Sequence, residues 1–92
     1  MTKADIVNEV ARRTGVDKAT VVRTIEAFMD SVTGSLEKKE NVYLRGFGSF
    51  IIKERAQKTA RNISRNTSIV IPAHSIAAFK PSKGLAKAIK SN

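Results

Sequence analysis

The sequence has no cysteine and only two prolines among its 92 residues. Without cysteine, disulfides and thiolate metal sites are excluded, and a reducing compartment is compatible with the chain. The N-terminus MTKADIVNEV carries acids and no continuous apolar run, so we expect neither a signal peptide nor a membrane span. The length predicts a single domain, residues 1–92, and an apolar content of 41% argues against disorder.

Acidic residues are scarce in the second half of the chain. The formal net charge is +9, yet residues 1–40 hold seven bases and seven acids, whereas residues 41–92 hold ten bases and one acid, Glu54. So many positive charges in one half of the chain repel one another unless a polyanion binds them. A need for solubility alone predicts scattered charges of both signs. The distribution therefore favours a nucleic-acid partner.

The first 40 residues predict two helices. Thr2 and Asp5 form a capping-box pattern, apolar residues follow at helical spacing, and Gly15 is a suitable C-terminal stop. Asp17 is a suitable N-cap for a longer second helix. That helix has a wide apolar stripe, which predicts a core-facing surface: Val21, Val22, Ile25, Phe28, Met29, Val32 and Leu36.

Three strands and a short helix are predicted after residue 40. VYLR leads into GFGSF, where two glycines flank Phe47 as a tight turn requires. The second strand starts at Ser49, continues past the core, turns near residues 64–67 and returns through SIVIPA as the third strand. Ser82 can cap a C-terminal helix. The subdivision is residues 1–40, helical; residues 41–80, sheet and ribbon; residues 81–92, C-terminal helix.

Enzymatic residues are hard to find in this chain. The single histidine, His74, has no cysteine or carboxylate beside it, and GFGSF lacks the lysine and the following helix of a phosphate-binding loop. We therefore predict a protein that is not an enzyme and has no cofactor and no metal site.

The polar stretch before SIVIPA is typical of a two-stranded β-ribbon that binds nucleic acid. Lys53, Arg55 and Arg61 share one face by period two, and twist can bring Lys58 to the same concave surface. Cations at such intervals match a string of phosphates, and a two-stranded ribbon can enter a groove. A helix-turn-helix within residues 10–28 is the weaker interpretation, because the charge of that half is balanced.

The runs VYLRGFGSF, KERAQKTARN, IPA and FKPSKGLAKAI resemble the HU/IHF family of bacterial DNA-bending, nucleoid-associated proteins over the whole chain. The resemblance implies an α+β intertwined homodimer with a helical body, a three-stranded sheet per subunit and an extended two-stranded β-arm that enters the minor groove. The positions on the arm and on the flank that match family DNA contacts are Lys53, Arg55, Lys58, Arg61, Asn62, Lys80 and Lys83.

The sequence departs from the family pattern in two ways at the tip of the arm. Ile63 stands where the family usually has a proline that wedges between base pairs, and Arg65 and Asn66 stand near the usual tip glycine. Aliphatic side chains can also act as wedges, so Ile63 is included among the predicted DNA-binding residues, together with Arg65. Asn66 tolerates positive φ, so a tight turn at the tip is still possible.

We therefore predict a histone-like protein of the cytoplasmic nucleoid that bends, wraps and compacts duplex DNA with little sequence preference. Its expected partners are double-stranded DNA, with a preference for bent, nicked or junction DNA, and a second copy of itself or a paralogous subunit. Alternatives are a small RNA-associated protein and a site-preferring factor of the IHF kind. A module for anionic membrane surfaces is disfavoured, because only SKGLAKAIKSN resembles a basic amphipathic helix.

Overall fold

The computed structural model describes residues 1–62 and 67–90. These residues form three helices and five strands, which confirms the predicted α+β class. Contacts divide the chain into two compact units, Met1–Gly34 and Ser35–Asn92. The elements in chain order are α1 (Lys3–Thr14), α2 (Lys18–Glu37), β1 (Val42–Leu44), β2 (Gly48–Arg55), β3 (Lys58–Asn62), β4 (Thr67–Ile71), β5 (His74–Pro81) and α3 (Lys83–Lys90).

The helix ends of the first unit follow the local sequence signals. Asp5 N donates to Thr2 Oγ1 at 3.2 Å and Thr2 N donates to Asp5 Oδ2 at 2.9 Å, so the predicted capping box is present. Gly15 ends α1 at φ 76°, a left-handed conformation that glycine adopts without steric cost. Asp17 caps α2 by accepting from Thr20 N at 3.0 Å.

The two capping aspartates are stabilised in their charged form. The backbone hydrogen bond and then the hydroxyl of Thr2 lower the pKa of Asp5 below its ordinary value. The hydroxyl and then the backbone N–H of Thr20 lower the pKa of Asp17 in the same way. Hydrogen bonds to a carboxylate favour its ionised form, so both caps are strongest when these groups are charged.

The core of the first unit is small. Val7 and Val21 are its only buried apolar side chains among the described residues, with 5% and 4% of their surface exposed. The predicted core-facing stripe of α2 is only partly covered, because Phe28 and Met29 remain 44% and 43% exposed. The periodicity predicted the stripe correctly, but this one chain does not bury all of it.

The second unit contains two antiparallel sheets. A three-stranded sheet has the order β1-β2-β5, and β3 pairs with β4 in a two-stranded sheet. This confirms the three-stranded sheet and the separate two-stranded arm. The turn between β1 and β2 is closed by a 2.9 Å bond from Phe47 N to Leu44 O, with Gly46 at φ 82°.

The prediction of three strands was wrong in one respect, because the long hairpin is interrupted. Arg55 pairs with His74 and Lys58 with Ile71, so the register continues unchanged while residues 56–57 and 72–73 leave the strands. In that register Gln57 lies opposite Pro72. Proline has no N–H to donate to a ladder, so pairing stops there and the arm becomes a separate sheet.

An aromatic cluster fills the base of the three-stranded sheet. The Phe79 ring lies 5.4 Å from the Phe47 ring and 5.2 Å from the Phe50 ring, both tilted. Gly48 is buried beneath it, and a Cβ at this position would lie 2.4 Å from Phe79 Cζ and 2.7 Å from the Lys80 carbonyl oxygen. The alternation of small and aromatic residues in GFGSF therefore has a packing reason.

The C-terminal helix begins as predicted. Leu85 N donates to Ser82 Oγ at 3.1 Å, and Ser82 Oγ itself lies 3.0 Å from the Gly46 carbonyl oxygen. Ser82 thus caps α3 and ties it to the turn between β1 and β2. Neither α3 nor the other two helices of residues 1–62 and 67–90 has the length and apolarity that spanning a lipid bilayer requires.

Candidate nucleic-acid interface

The basic residues of β2 share one face of the strand. Lys53 and Arg55 are both exposed and are two residues apart, so their side chains leave the sheet on the same side. Neither side chain has an ion pair or a hydrogen bond within the described chain. Two unpaired cations about 7 Å apart along a strand suit adjacent phosphates of a nucleic-acid backbone.

The one acid of the second half lies on the opposite face. Glu54 falls between Lys53 and Arg55, and its carboxylate oxygens lie 2.9 and 3.0 Å from Ser75 Oγ on β5. Lys39 Nζ in turn donates a hydrogen bond to Ser75 Oγ. The negative charge is thereby held by a hydroxyl and near an ammonium group, and the face of Lys53 and Arg55 is left uniformly positive.

The root of the arm forms a cleft of about 570 Å³ between the two sheets. Arg55, Lys58 and His74 line it. His74 is exposed, and its Nδ1 lies 3.1 Å from the Pro72 carbonyl oxygen. Basic groups from β2, β3 and β5 therefore meet where the hairpin is interrupted.

The predicted arm residues are only partly described. Arg61 and Asn62 lie on the backbone of β3, where they pair with Ser68 and Thr67. Ile63 and Arg65 lie outside the described residues, so their predicted contacts with DNA stay predictions.

A second group of basic residues surrounds a cleft of about 500 Å³ beside the turn between β1 and β2. Lys80 from β5 and Lys83 from α3, two of the residues predicted to contact DNA, line this cleft. Arg45 lines it too and was not among the predicted DNA-binding residues. Arg45 lies next to Gly46 in the tight turn, and the fold brings Lys80 and Lys83 to the same cleft. The sequence alone does not show that these three basic residues lie around one cleft.

No cluster of three or more metal-ligating side chains occurs within residues 1–62 and 67–90. Two ion pairs lie in the first unit, between Lys3 and Glu26 at 3.1 Å and between Arg13 and Glu9 at 3.9 Å. Lys53 and Arg55 of the second unit have no such partner among the described residues and are available for an external anion.

Comparisons with known proteins agree with this geometry. A family model described as "Bacterial DNA-binding protein" matches residues 1–90. The chain is 39% identical over 90 residues to DNA-binding protein HU of Geobacillus stearothermophilus, covering 98% of this chain and 100% of the relative. It is 38% identical to DNA-binding protein HU-beta of Pseudomonas aeruginosa, covering 97% and 99%.

Solved structures give the same result. An HU–DNA cocrystal structure from Anabaena superposes with a TM-score of 0.93 at 28% identity and full coverage of both chains. HU from Thermotoga maritima superposes with a TM-score of 0.68 at 25% identity, covering 97% of this chain and 98% of that one.

Proposed function

This chain belongs to the HU family of bacterial DNA-binding proteins, and we propose that it bends, wraps and compacts duplex DNA in the nucleoid, within the cytoplasm, with little sequence preference. The observation that carries the proposal is the positive face of β2. Lys53 and Arg55 lie unpaired there, while Glu54 is held on the opposite face. Phosphate contacts of this kind position a protein on DNA without reading base identity.

The working unit is a homodimer. Apolar side chains that one chain leaves exposed include Phe28 at 44%, Phe47 at 49% and Ile89 at 68%. Large apolar side chains that are exposed in one chain are typical of a protein interface. In a homodimer, a second copy of the chain supplies matching apolar residues. Dimerisation provides two arms, so the positive surfaces contact two stretches of one duplex.

Binding proceeds by electrostatic wrapping. The cations of β2 and of the arm follow the phosphates, while Arg45, Lys80 and Lys83 contact the duplex near the base of the sheet. The two-stranded arm contacts the minor groove, as the strands of some DNA-binding β-ribbons do. No covalent step is involved, so the protein is not an enzyme.

We expect Arg55→Ala to weaken binding to all duplex sequences by a similar factor. Arg55 is exposed and unpaired, so its removal takes away a phosphate contact and leaves the fold within about ±0.5 kcal/mol of its stability. Fluorescence anisotropy with several unrelated duplexes measures the effect. The matched control is Arg23→Ala, which removes the same charge from α2. A loss confined to certain sequences would instead indicate base readout by Arg55.

Ile63 is the proposed wedge at the arm. An aliphatic side chain inserted between base pairs costs a few kcal/mol of stacking, which the additional wrapped contacts must offset. We expect Ile63→Ala to lower both the bend angle and the preference for nicked DNA, and to leave the salt dependence of binding unchanged because no charge is lost. Energy transfer between dyes at the ends of intact and nicked duplexes measures the angle.

Ile63→Pro is the matched variant, because it restores the residue usual in the family. It should keep the kink or sharpen it. If Ile63→Ala bends and discriminates like the wild type, Ile63 only packs within the arm and the wedge is refuted.

One series of gel shifts separates the proposal from the alternatives. Linear, nicked and four-way-junction DNA are compared with duplex RNA at equal salt. The minor groove of duplex RNA is wide and shallow, so an inserted side chain makes few contacts there. We therefore expect the distorted DNAs to bind most tightly and duplex RNA most weakly. Tighter binding to RNA would favour an RNA-associated protein. Strong preference among linear DNA sequences would favour a site-preferring factor.

A further inference from the structure

The sheet register places His74 on the same face as the basic residues of β2. His74 on β5 pairs directly with Arg55 on β2. Directly opposed residues of an antiparallel pair lie on one face of the sheet, with Cβ atoms about 4.5–5.5 Å apart. Lys53 on β2 and Lys80 on β5 share this face by the two-residue period of a strand. His74 therefore lies on the positive face of the sheet, on the other side from Glu54.

The surroundings of His74 are basic. It lines the cleft of about 570 Å³ at the root of the arm together with Arg55 and Lys58. The other residues of the cleft carry no charge: Ala56, Gln57, Ile71 and Ile76. The side chain of His74 is exposed, and the carboxylate of Glu54 is held by Ser75 on the opposite face. An anion that enters this cleft thus meets two permanent cations and one imidazole, without a carboxylate among the lining residues.

The backbone binds one of the two ring nitrogens of His74. Nδ1 lies 3.1 Å from the Pro72 carbonyl oxygen. A carbonyl oxygen can only accept, so Nδ1 carries the hydrogen and donates it. Nε2 has no hydrogen bond within the part of the chain that the structure describes. In the neutral ring Nε2 holds a lone pair, so it becomes a donor only when the ring takes up a second proton.

We propose that His74 is a further DNA-binding residue, whose protonated ring donates from Nε2 to a phosphate oxygen in the cleft with Arg55 and Lys58. The proposal rests on the proposed function, because the phosphate belongs to the duplex that the sheet face contacts. The neutral ring turns a lone pair toward the same oxygen and makes no such bond. A dimer with both rings charged therefore makes two phosphate contacts that the neutral form lacks.

This contact makes the affinity for DNA depend on pH. Histidine changes its charge between about pH 5 and 8. Arg55 on β2 and Lys58 on β3 are the other charged groups of the cleft, β4 contributes none, and both cations keep their charge over this range. A phosphate beside the ring favours its charged form, so the complex holds more protons than the separate protein and duplex do. The affinity therefore rises as the pH falls.

Two replacements of His74 test its charge. His74→Gln keeps a polar side chain that stays neutral, and His74→Lys supplies a permanent cation. His74 is exposed, so neither replacement disturbs the core. In anisotropy titrations of one linear duplex at constant salt, we expect the wild-type dimer to bind at least about threefold more tightly at pH 6 than at pH 8, because it gains two exposed ion pairs.

The variants should lose this pH dependence in different ways. His74→Gln should bind nearly equally at both pH values. His74→Lys should also bind nearly equally at both, and at pH 8 it should bind more tightly than the wild type. The N-terminal amine titrates near this range as well, but it is common to all three proteins. An equal change with pH in His74→Gln and in the wild type would overturn the proposal.

The salt dependence shows whether the partner of His74 is a phosphate. Between pH 8 and pH 6, the slope of the logarithm of the association constant against the logarithm of salt should become steeper by about 2 for the wild-type dimer. The slope of His74→Gln should stay constant. A wild-type slope that is the same at both pH values would overturn the contact with phosphate.

Calorimetry keeps the failure of this proposal apart from the failure of the proposed function. Binding of the duplex at pH 7 is measured in two buffers of different ionisation enthalpy, which gives the number of protons taken up. We expect the wild type to take up more protons than His74→Gln. Tight binding by both with equal proton uptake would overturn the role of His74 and leave the proposed function standing. Absence of duplex binding by the wild type at pH 6 and at pH 8 would overturn both.

Discussion

The affinity of this protein for duplex DNA is expected to fall by about 10³–10⁵-fold when the salt concentration rises from about 50 to 200 mM. Lys53 and Arg55 have no ion pair or hydrogen bond among the described residues, so DNA phosphates that bind them displace only counterions. If six to ten cations of a dimer contact phosphates, the logarithm of the association constant falls with the logarithm of salt at a slope of roughly −5 to −9.

Anisotropy titrations over a salt series measure this slope. Lys83→Ala provides a matched comparison, because it removes one cation per chain from the cleft shared with Arg45 and Lys80. The dimer then loses two phosphate contacts, which should make the slope shallower by about 2. A wild-type slope shallower than about −2 would contradict wrapping and indicate a small contact patch.

Phe79→Ala is expected to lower the free energy of unfolding by an amount near the lower end of the about 3–5 kcal/mol typical for removing a buried phenylalanine, because Phe79 is 40% exposed in one chain. The Phe79 ring contacts both Phe47 and Phe50, and its edge lies over Gly48. Its removal therefore opens a cavity in the aromatic cluster that joins β2 to β5. Urea denaturation followed by circular dichroism measures the loss.

Phe47 belongs to the same cluster, and we expect its role to be structural. Phe47 is 49% exposed in one chain and lies against Phe79. If the partner subunit covers its free side, Phe47→Ala yields monomeric or unfolded protein in sedimentation experiments. Tyr43→Ala is the control, because this aromatic side chain is 71% exposed and should change stability within about ±0.5 kcal/mol. A stable Phe47→Ala dimer with weakened DNA binding would place the ring on the DNA-facing surface instead.

The predicted site residues depended on two kinds of information. The face shared by Lys53 and Arg55 follows from the two-residue period of a strand, so the sequence was sufficient. The meeting of Arg45 with Lys80 and Lys83 depends on how β1, β2, β5 and α3 converge. No local pattern indicates that convergence, so the sequence did not place Arg45 beside these two lysines.

The sequence by itself determined the hydrogen bonds between residues close together in the chain and the properties that depend on composition alone. The caps formed by Thr2, Asp17 and Ser82 bond to groups three residues away, and the charge imbalance is a property of composition. Such interactions form whenever the chain enters a helix, so propensity and spacing predict them.

Only the tertiary structure decided where the hairpin is interrupted and where Glu54 is held. Both depend on the antiparallel register, which sets Pro72 opposite Gln57 and brings Ser75, 21 residues further along the chain, to the Glu54 carboxylate. Lys39 joins this group from 36 residues away. A register is chosen by the packing of whole strands against one another, so its consequences for single side chains appear only when the sheet has formed.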